Sequence, residues 1–556
     1  MNSNVSPFAA AWPIAICFMV ASGVVAGEIR FIENAQQRGI DFVQTNGSRQ
    51  KDYIVEAKGA GVAVADVNHD GWDDIYFVNG ADLNPNSDKE QPKNTLYINN
   101  GDGTFRDASK ESGLDDPGFG CGAYFADVDN DGDLDCYLTN FGPNQLYLNN
   151  GAGRFSPQEN AAGAQNSGWS TGAAFADVNR DGYLDLFVGQ YAEFSVALAD
   201  QKGKLAPYQG EMMFIGPSGY QPANDNLFLN NHDGTFRDVS RQWGVNEFGA
   251  GRAFTATFSD LDDDGDLDLY VANDTTTNLL YENTGARFEE ISILAGAGLS
   301  ESGDEQGGMG LAVRDVNGNG RFDLAIANYQ DEYNILYENQ GGLQFTDAAF
   351  SSGIGLHTRD SVSFGMLLED FDNDGWPDMH VSCGHVYPKA DSIKHLFGYA
   401  QANLVFHNQG GGRFADISKQ AGTASALTGV SRGSAAADFD HDGDLDIVIN
   451  NLDGRPFFLE NQSECGNWLQ VALHDERGMP AFGAKVAIDA GGREQVAELY
   501  SSASFLSQNS ATLHFGCGEA KMIDRISVRW PDGSQETKLN IPVNQILIWM
   551  KQISTP

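Results

Sequence analysis

The chain has 556 residues, and its 77 Asp and Glu against 34 Lys and Arg leave a formal charge of −43. Phosphate backbones and anionic bilayers need a basic face, so nucleic acid and acidic membrane surfaces are excluded as partners. Charged residues make up only 20% and hydrophobic residues 41%, which excludes a disordered acidic tail, and the 65 glycines point to many short strands joined by tight turns.

At the start of the chain an apolar run from Phe8 to Val25 leads into the small residues Val24-Val25-Ala26. This reads as a secretory signal over residues 1–26, cleaved after Ala26, and places the protein in a secreted, periplasmic or cell-surface compartment. No Lys or Arg precedes the run, so the alternative is an uncleaved anchor; no later segment is apolar enough to enter a membrane. Removing the signal leaves Cys121, Cys136, Cys383, Cys465 and Cys517, without the paired short spacing of a zinc or haem motif. Cys465 and Cys517 are the expected disulfide in an oxidising compartment.

An acidic nonapeptide then recurs seven times. Its first, third, fifth and ninth positions are Asp66, Asn68, Asp70 and Asp74; Asp127, Asp129, Asp131 and Asp135; Asp177, Asn179, Asp181 and Asp185; and Asp260, Asp262, Asp264 and Asp268. The last three copies give Asp315, Asn317, Asn319 and Asp323; Asp370, Asp372, Asp374 and Asp378; and Asp438, Asp440, Asp442 and Asp446. A second element follows most copies, as in Asn94-Thr-Leu-Tyr-Ile-Asn-Asn and Asn278-Leu-Leu-Tyr-Glu-Asn. A third is the aromatic Phe105, Phe155, Phe236, Phe288, Phe345 or Phe414. The seventh copy lacks this third element after Phe457–Asn461, while a matching Arg30-Phe31 stands before the first loop.

Each unit thus offers four short strands, and four-stranded units repeated about an axis form a β-propeller. The expected fold is all-β: a seven-bladed propeller over 28–463, closed by the Phe31 strand joining the last blade. A small β-sandwich or barrel follows over 464–551, where Leu469-Gln-Val-Ala-Leu and Ile526-Ser-Val-Arg-Trp alternate apolar and polar residues.

Asp-x-Asp/Asn-x-Asp-Gly is the first half of a calcium loop: oxygens at positions one, three and five converge, and glycine at six permits the turn. Here the last ligand is Asp at position nine, at the head of an apolar strand, so the loop joins two strands and not two helices. Two carboxylates ~4 Å apart repel by about 4 kcal/mol at an effective dielectric near 20. Crowding three or four of them therefore calls for a cation, and oxygen-only donors favour Ca2+. Up to seven Ca2+ are expected, shifting the charge from −43 towards −29. The fifth loop, with Asn317 and Asn319, is the weakest of the seven.

These units resemble the FG-GAP/VCBS repeats, the kind of blade found in integrin α-subunit heads. In the tail, Asn467-Trp-Leu-Gln-Val, Gly483-Ala-Lys-Val, Ser507-Gln-Asn, His514-Phe-Gly and Val528-Arg-Trp-Pro-Asp-Gly resemble the ASPIC/UnbV domain. The combination is similar to that of the cartilage acidic protein family and its bacterial relatives. The resemblance implies a secreted or surface calcium-binding protein serving adhesion or matrix interaction. The UnbV name itself comes from proteins encoded beside enediyne biosynthesis enzymes, and no general catalytic activity carries over.

Two connections on the face away from the acidic loops are long, Gln190 to Asn224 and Gly384 to Asn403. Tyr191, Phe194, Tyr208, Met212, Met213, Phe214, Tyr220, His385, Tyr387, His395, Phe397 and Tyr399 on them form either a recognition surface or a plug for the channel mouth. The function expected is binding or adhesion to a protein or glycan partner with structural Ca2+. The alternative is a calcium-supported hydrolase, lyase or cyclase of secondary metabolism, acting in the channel or under the long loops, with His385, Asp274 and Glu211 as first candidates.

Overall fold

The computed structural model describes residues 28–83, 90–247 and 249–552; the signal reading of 1–26 lies outside them. Seven four-stranded antiparallel sheets follow one plan. Blade 1 runs Val62–Ala65, Asp74–Phe77, Thr95–Asn99 and Phe105–Asp107 from the axis outwards. Blades 2 to 6 begin at Gly120, Ser170, Ala253, Leu311 and Ser363. Blade 7 is Ser431–Ala437, Asp446–Asn451, Phe457–Asn461 and, as its outermost strand, Phe31–Glu33. There Phe31, Ile32 and Glu33 pair with Asn461, Glu460 and Leu459, so the chain's early strand completes the last sheet. The innermost strands neighbour one another in order, and that of blade 7 returns to that of blade 1.

Packing explains why the inner strands look unlike ordinary half-buried strands. Ser170–Ala176 and Ser431–Ala437 read Ser-Thr-Gly-Ala-Ala-Phe-Ala and Ser-Arg-Gly-Ser-Ala-Ala-Ala and are buried along their whole length. Blades press on both faces, so small residues replace the usual alternation. Gly310 illustrates the fit: a Cβ there would collide with the backbone carbonyl of Phe364 in the next blade.

The blades are also stapled by one asparagine each, at the end of the third strand, where the sequence is Leu-Tyr-x-Asn in blades 1, 2, 4 and 5. The Nδ2 groups of Asn149, Asn230, Asn283, Asn339, Asn408 and Asn461 donate to the carbonyls of Val67, Val128, Val178, Leu261, Val316 and Phe371 at 2.7–3.1 Å. Each acceptor is the second residue of the preceding blade's acidic loop. Asn99 does the same to Phe439 of blade 7 at 2.9 Å, which closes the circle.

The C-terminal part is a two-sheet sandwich. One sheet holds Asn467–His474 between Thr512–Gly518 and Gln545–Met550, and the other orders Arg493–Glu498, Lys485–Ala490, Met522–Arg529 and Gln535–Pro542. Leu469, Val471, Ile488, Phe515, Ile526, Val528, Trp530 and Trp549 fill it, in one continuous core with Tyr124 and Phe175 of the propeller. The sandwich sits on the acidic-loop face. The expected Cys465–Cys517 bridge is not formed: both are free thiols, each directed at a backbone carbonyl, Phe371 O and Phe515 O respectively, at 3.5 Å.

From this sandwich the segment 499–510 rises along the propeller axis and reaches every blade. Ser501 Oγ takes the N–H of Phe175 in blade 3 and gives its proton to the same residue's carbonyl, both at 2.7 Å. Ser502 Oγ donates to Ala256 O in blade 4. Ser504 exchanges both backbone hydrogen bonds with Leu311 in blade 5, and its hydroxyl accepts from Met366 N in blade 6. Gln508 bonds through its backbone to Val62 and Val64 in blade 1 and clasps Phe125 in blade 2, Oε1 accepting at 2.7 Å and Nε2 donating at 2.9 Å. Asn509 Oδ1 and the Ser510 N–H satisfy Ala436 in blade 7. An innermost strand has an open edge facing the axis, and buried backbone groups need partners; this polar finger supplies them.

Candidate metal centre

The acidic loops connect the first two strands of each blade on the face that carries the sandwich. Their shape repeats. The fourth residue is left-handed in every copy, from His69 (φ 58) through Asn130, Arg180, Asp263, Gly318 and Asn373 to His441, and the sixth is a left-handed glycine. Two such residues, separated by one, curl the chain round its first carboxylate. That carboxylate accepts the sixth residue's N–H in all seven loops, as in Gly71 to Asp66 at 2.8 Å and Gly375 to Asp370 at 2.7 Å. The ninth carboxylate accepts the N–H of the stapling asparagine, as in Asn149 to Asp135 at 2.9 Å. Two corners of each cage are therefore set by the backbone.

Four loops draw three acidic oxygens within 4.8 Å of one another: Asp127, Asp129 and Asp135; Asp260, Asp262 and Asp264; Asp370, Asp372 and Asp378; Asp438, Asp440 and Asp442. These are the four with Asp at the third position. Where Asn stands there, as Asn68, Asn179 or Asn317, no such acidic triplet forms among the described residues; Asn68 Nδ2 instead donates to Asp70 at 3.0 Å. Burial pushes the ninth carboxyls up, to about 8 at Asp74, Asp135, Asp185 and Asp323, and holds those of Asp268, Asp378 and Asp446 well above the usual carboxylate range. Asp260 Oδ1, Asp372 Oδ2 and Asp446 Oδ2 are buried without a hydrogen-bond partner. Carboxylate oxygens gathered, buried and unpartnered fit a hard divalent cation.

Basic and amide groups stand around the cages. Arg38 bridges Asp440 (3.2 Å) and Glu460 (2.9 Å), and from the sandwich Arg529 pairs with Asp260 while Gln470 Nε2 donates to Asp438 at 2.8 Å. Sequence reasoning missed these partners and also His407, whose Nε2 lies 3.3 Å from Asp372 Oδ2. Between the loop face of blades 1 and 7 and the sandwich lies a cavity of about 280 Å3, edged by Asp66, His69, Asp73, His441, His474 and His514.

On the opposite face the long connections turn inward. Tyr191, Phe194, Met213, Phe214, Tyr220 and Tyr387 are buried in one cluster with Phe505 and Leu506 at the finger's tip, and Phe505 lies edge-on to Phe364 with centroids 4.9 Å apart. Met212, His395 and Phe397 remain exposed. Of the three candidate catalytic residues, His385 and Asp274 are buried below these connections, Asp274 accepting from Tyr191 Oη at 2.5 Å and facing Lys58 Nζ at 3.5 Å. Glu211 lies apart, on a surface hairpin paired with Lys389.

His385 carries a pH prediction. Burial, then the charges of Arg432 and Lys58, hold its imidazole down at about 3, against 6.5 when unfolded. The unfolded chain takes up the proton first, so stability is complete above pH ~6.5 and falls as pH drops towards 3. Between pH 6.5 and 5 the loss is about 2 kcal/mol from this group. His385→Gln, which retains an acceptor for the Tyr387 N–H, is expected to flatten the decline in melting temperature from pH 7 to 5, measured calorimetrically in saturating calcium.

The fold and its loops define a class: β-propellers with acidic hairpin cages, plugged by a C-terminal β-sandwich. No helix among the described residues is long and apolar enough to cross a membrane. The FG-GAP-like repeat matches residues 66–138, 127–188, 260–326, 315–381 and 395–449, and the ASPIC and UnbV domain matches 475–554. The chain belongs to the family of FG-GAP-like repeat proteins ending in an ASPIC and UnbV domain. It is 25% identical to cartilage acidic protein 1 of Mus musculus over 314 residues, 54% of this chain and 45% of that protein, and 25% identical to the Homo sapiens protein over 315 residues, 54% and 44%. It thus spans less than half the length of these curated relatives. Among solved structures, an Agrocybe aegerita lectin recognising non-reducing terminal N-acetylglucosamine aligns at a TM-score of 0.39 and 17% identity, covering 71% of this chain and 86% of that one.

Proposed function

We propose that the protein is a secreted binding module, a propeller held rigid by structural Ca2+, that engages a protein or glycan partner at its surface. The observation that carries this reading is the convergence of three carboxylates in each of four loops, with buried oxygens left unpartnered. Calcium is assigned to all seven loops, weakest in the fifth, where Asp315 and Asp323 stand alone with Asn317 and Asn319. Secretion is supported by the apolar leader at residues 1–26, and adhesion by the family's architecture.

The test is a protein and glycan array probed with the full chain, with and without calcium, beside a calorimetric calcium titration. Saturable binding that disappears on chelation is expected. Turnover of a metabolite pool without stable binding would replace this reading with the enzyme alternative.

A further inference from the structure

We propose that the sixth loop is a mixed nitrogen–oxygen site that selects a first-row transition-metal dication over the Ca2+ assigned to the other loops, with His407 as its nitrogen ligand. The inference rests on the reading of the loops as cation cages and departs from it at this one blade.

The residue just before each stapling asparagine occupies the same place in every blade. It is Ile98, Leu148 and Leu229 in the first three, Glu282, Glu338 and Glu460 in blades 4, 5 and 7, and His407 in blade 6. His407 Nε2 lies 3.3 Å from Asp372 Oδ2 and 3.9 Å from Asp374 Oδ2. Ligand atoms of Asp372, Asp374 and His407 lie within 4.8 Å of one another, as do those of Asp370, Asp372 and Asp378. Asp372 belongs to both groups, which join it to three further carboxylates, Asp370, Asp374 and Asp378, and one imidazole.

A second observation points to an ion. The Asp372 side chain is fully buried, yet its Oδ2 has no hydrogen-bond partner, and neither has the His407 Nε2 facing it. The two atoms are close but misaligned for a hydrogen bond. Ligands 2.0–2.4 Å from a common metal stand ~3 Å apart, close to the 3.3 Å that separates these two atoms.

The donor set then decides the metal. Ca2+ takes oxygen ligands, whereas imidazole suits zinc and iron, and carboxylates also suit manganese. A nitrogen donor raises affinity along the first-row series, a gain Ca2+ does not share. At this position of the repeat Glu282, Glu338 and Glu460 offer oxygen, and His407 alone offers nitrogen.

The experiment uses the full chain, purified without chelator, loaded with Mn2+ and dialysed against excess calcium. Metal content is read by elemental analysis, and the manganese by pulsed electron paramagnetic resonance. One retained equivalent of Mn2+ with the modulation of a single imidazole nitrogen is expected. His407→Glu, which recreates the donor set of blades 4 and 7, is expected to lose that modulation and to bind Mn2+ on the order of 100-fold more weakly, with calcium elsewhere unchanged. Complete displacement of Mn2+ by calcium in the unaltered chain, or retention without nitrogen coupling, would overturn the proposal and make His407 a protonated counterion to the cluster. Absence of calcium and manganese alike would overturn the cage reading as a whole.

Discussion

Gln508→Leu is expected to destabilise the whole molecule by about 2–6 kcal/mol, because it strands the N–H and C=O of Phe125 in the interior. Each buried backbone group left unmade costs about 1–3 kcal/mol, and leucine matches glutamine closely enough in size that packing adds little. The damage should not stay in the sandwich that carries residue 508. The finger bonds to all seven innermost strands, and the core of the sandwich is continuous with Tyr124 and Phe175. Propeller and sandwich are therefore expected to melt in one transition, shifted downwards as a unit in the variant. Two separated transitions by calorimetry, with only the smaller one moved, would contradict this.

Chelation is expected to have a larger effect. A ligand bound only by the folded state adds about 2.7 kcal/mol per site at a hundredfold excess over its dissociation constant. Four well-formed acidic triplets then contribute on the order of 10 kcal/mol. For a chain of this size that corresponds to a fall in melting temperature of about 10–20 °C in excess chelator, since large domains shift by about 2 °C or less per kcal/mol. The measurement is a pair of calorimetric scans at pH 7.5, with millimolar calcium and with chelator, and identical scans would refute the role given to the loops. Asp129→Asn, which gives the second loop the donor set of the first, should weaken that one site and reproduce less than a quarter of the effect.

Much of this architecture was legible in the residues. The blades could be counted because strand, acidic loop and Leu-Tyr-x-Asn element recur in fixed order, and the displaced Phe31 showed how the ring closes. The four strongest cages followed from Asp at the third position, a matter of local charge. What stayed hidden depends on contacts distant in sequence. Nothing local sets residues 499–510 apart from the rest of the C-terminal domain, and Ser507-Gln-Asn serves only as a family signature; its partners lie as far away as Val62, 445 positions earlier. The repeated asparagines gave no sign that each reaches across to the neighbouring blade. His407 was findable: lining up the seven repeats puts it where isoleucine, leucine or glutamate otherwise stands. The aromatics of the long connections were ambiguous by composition, and burial against Phe505 and Leu506 decided most of them. Cys465 and Cys517, matched in sequence because both lie in the C-terminal domain, face carbonyls and not each other.

The finger has a consequence for traffic. Many ring-shaped proteins leave a water-filled bore through which a solute can pass or in which it can be held. Here the bore is a solid axle, hydrogen-bonded at every spoke and capped at its end by Phe505 against Phe254 and Phe364. Among the described residues the finger fills the axis where an open channel would run. Whatever this protein recognises must be met on its outer surfaces, or in the seam where the sandwich rests on blades 1 and 7.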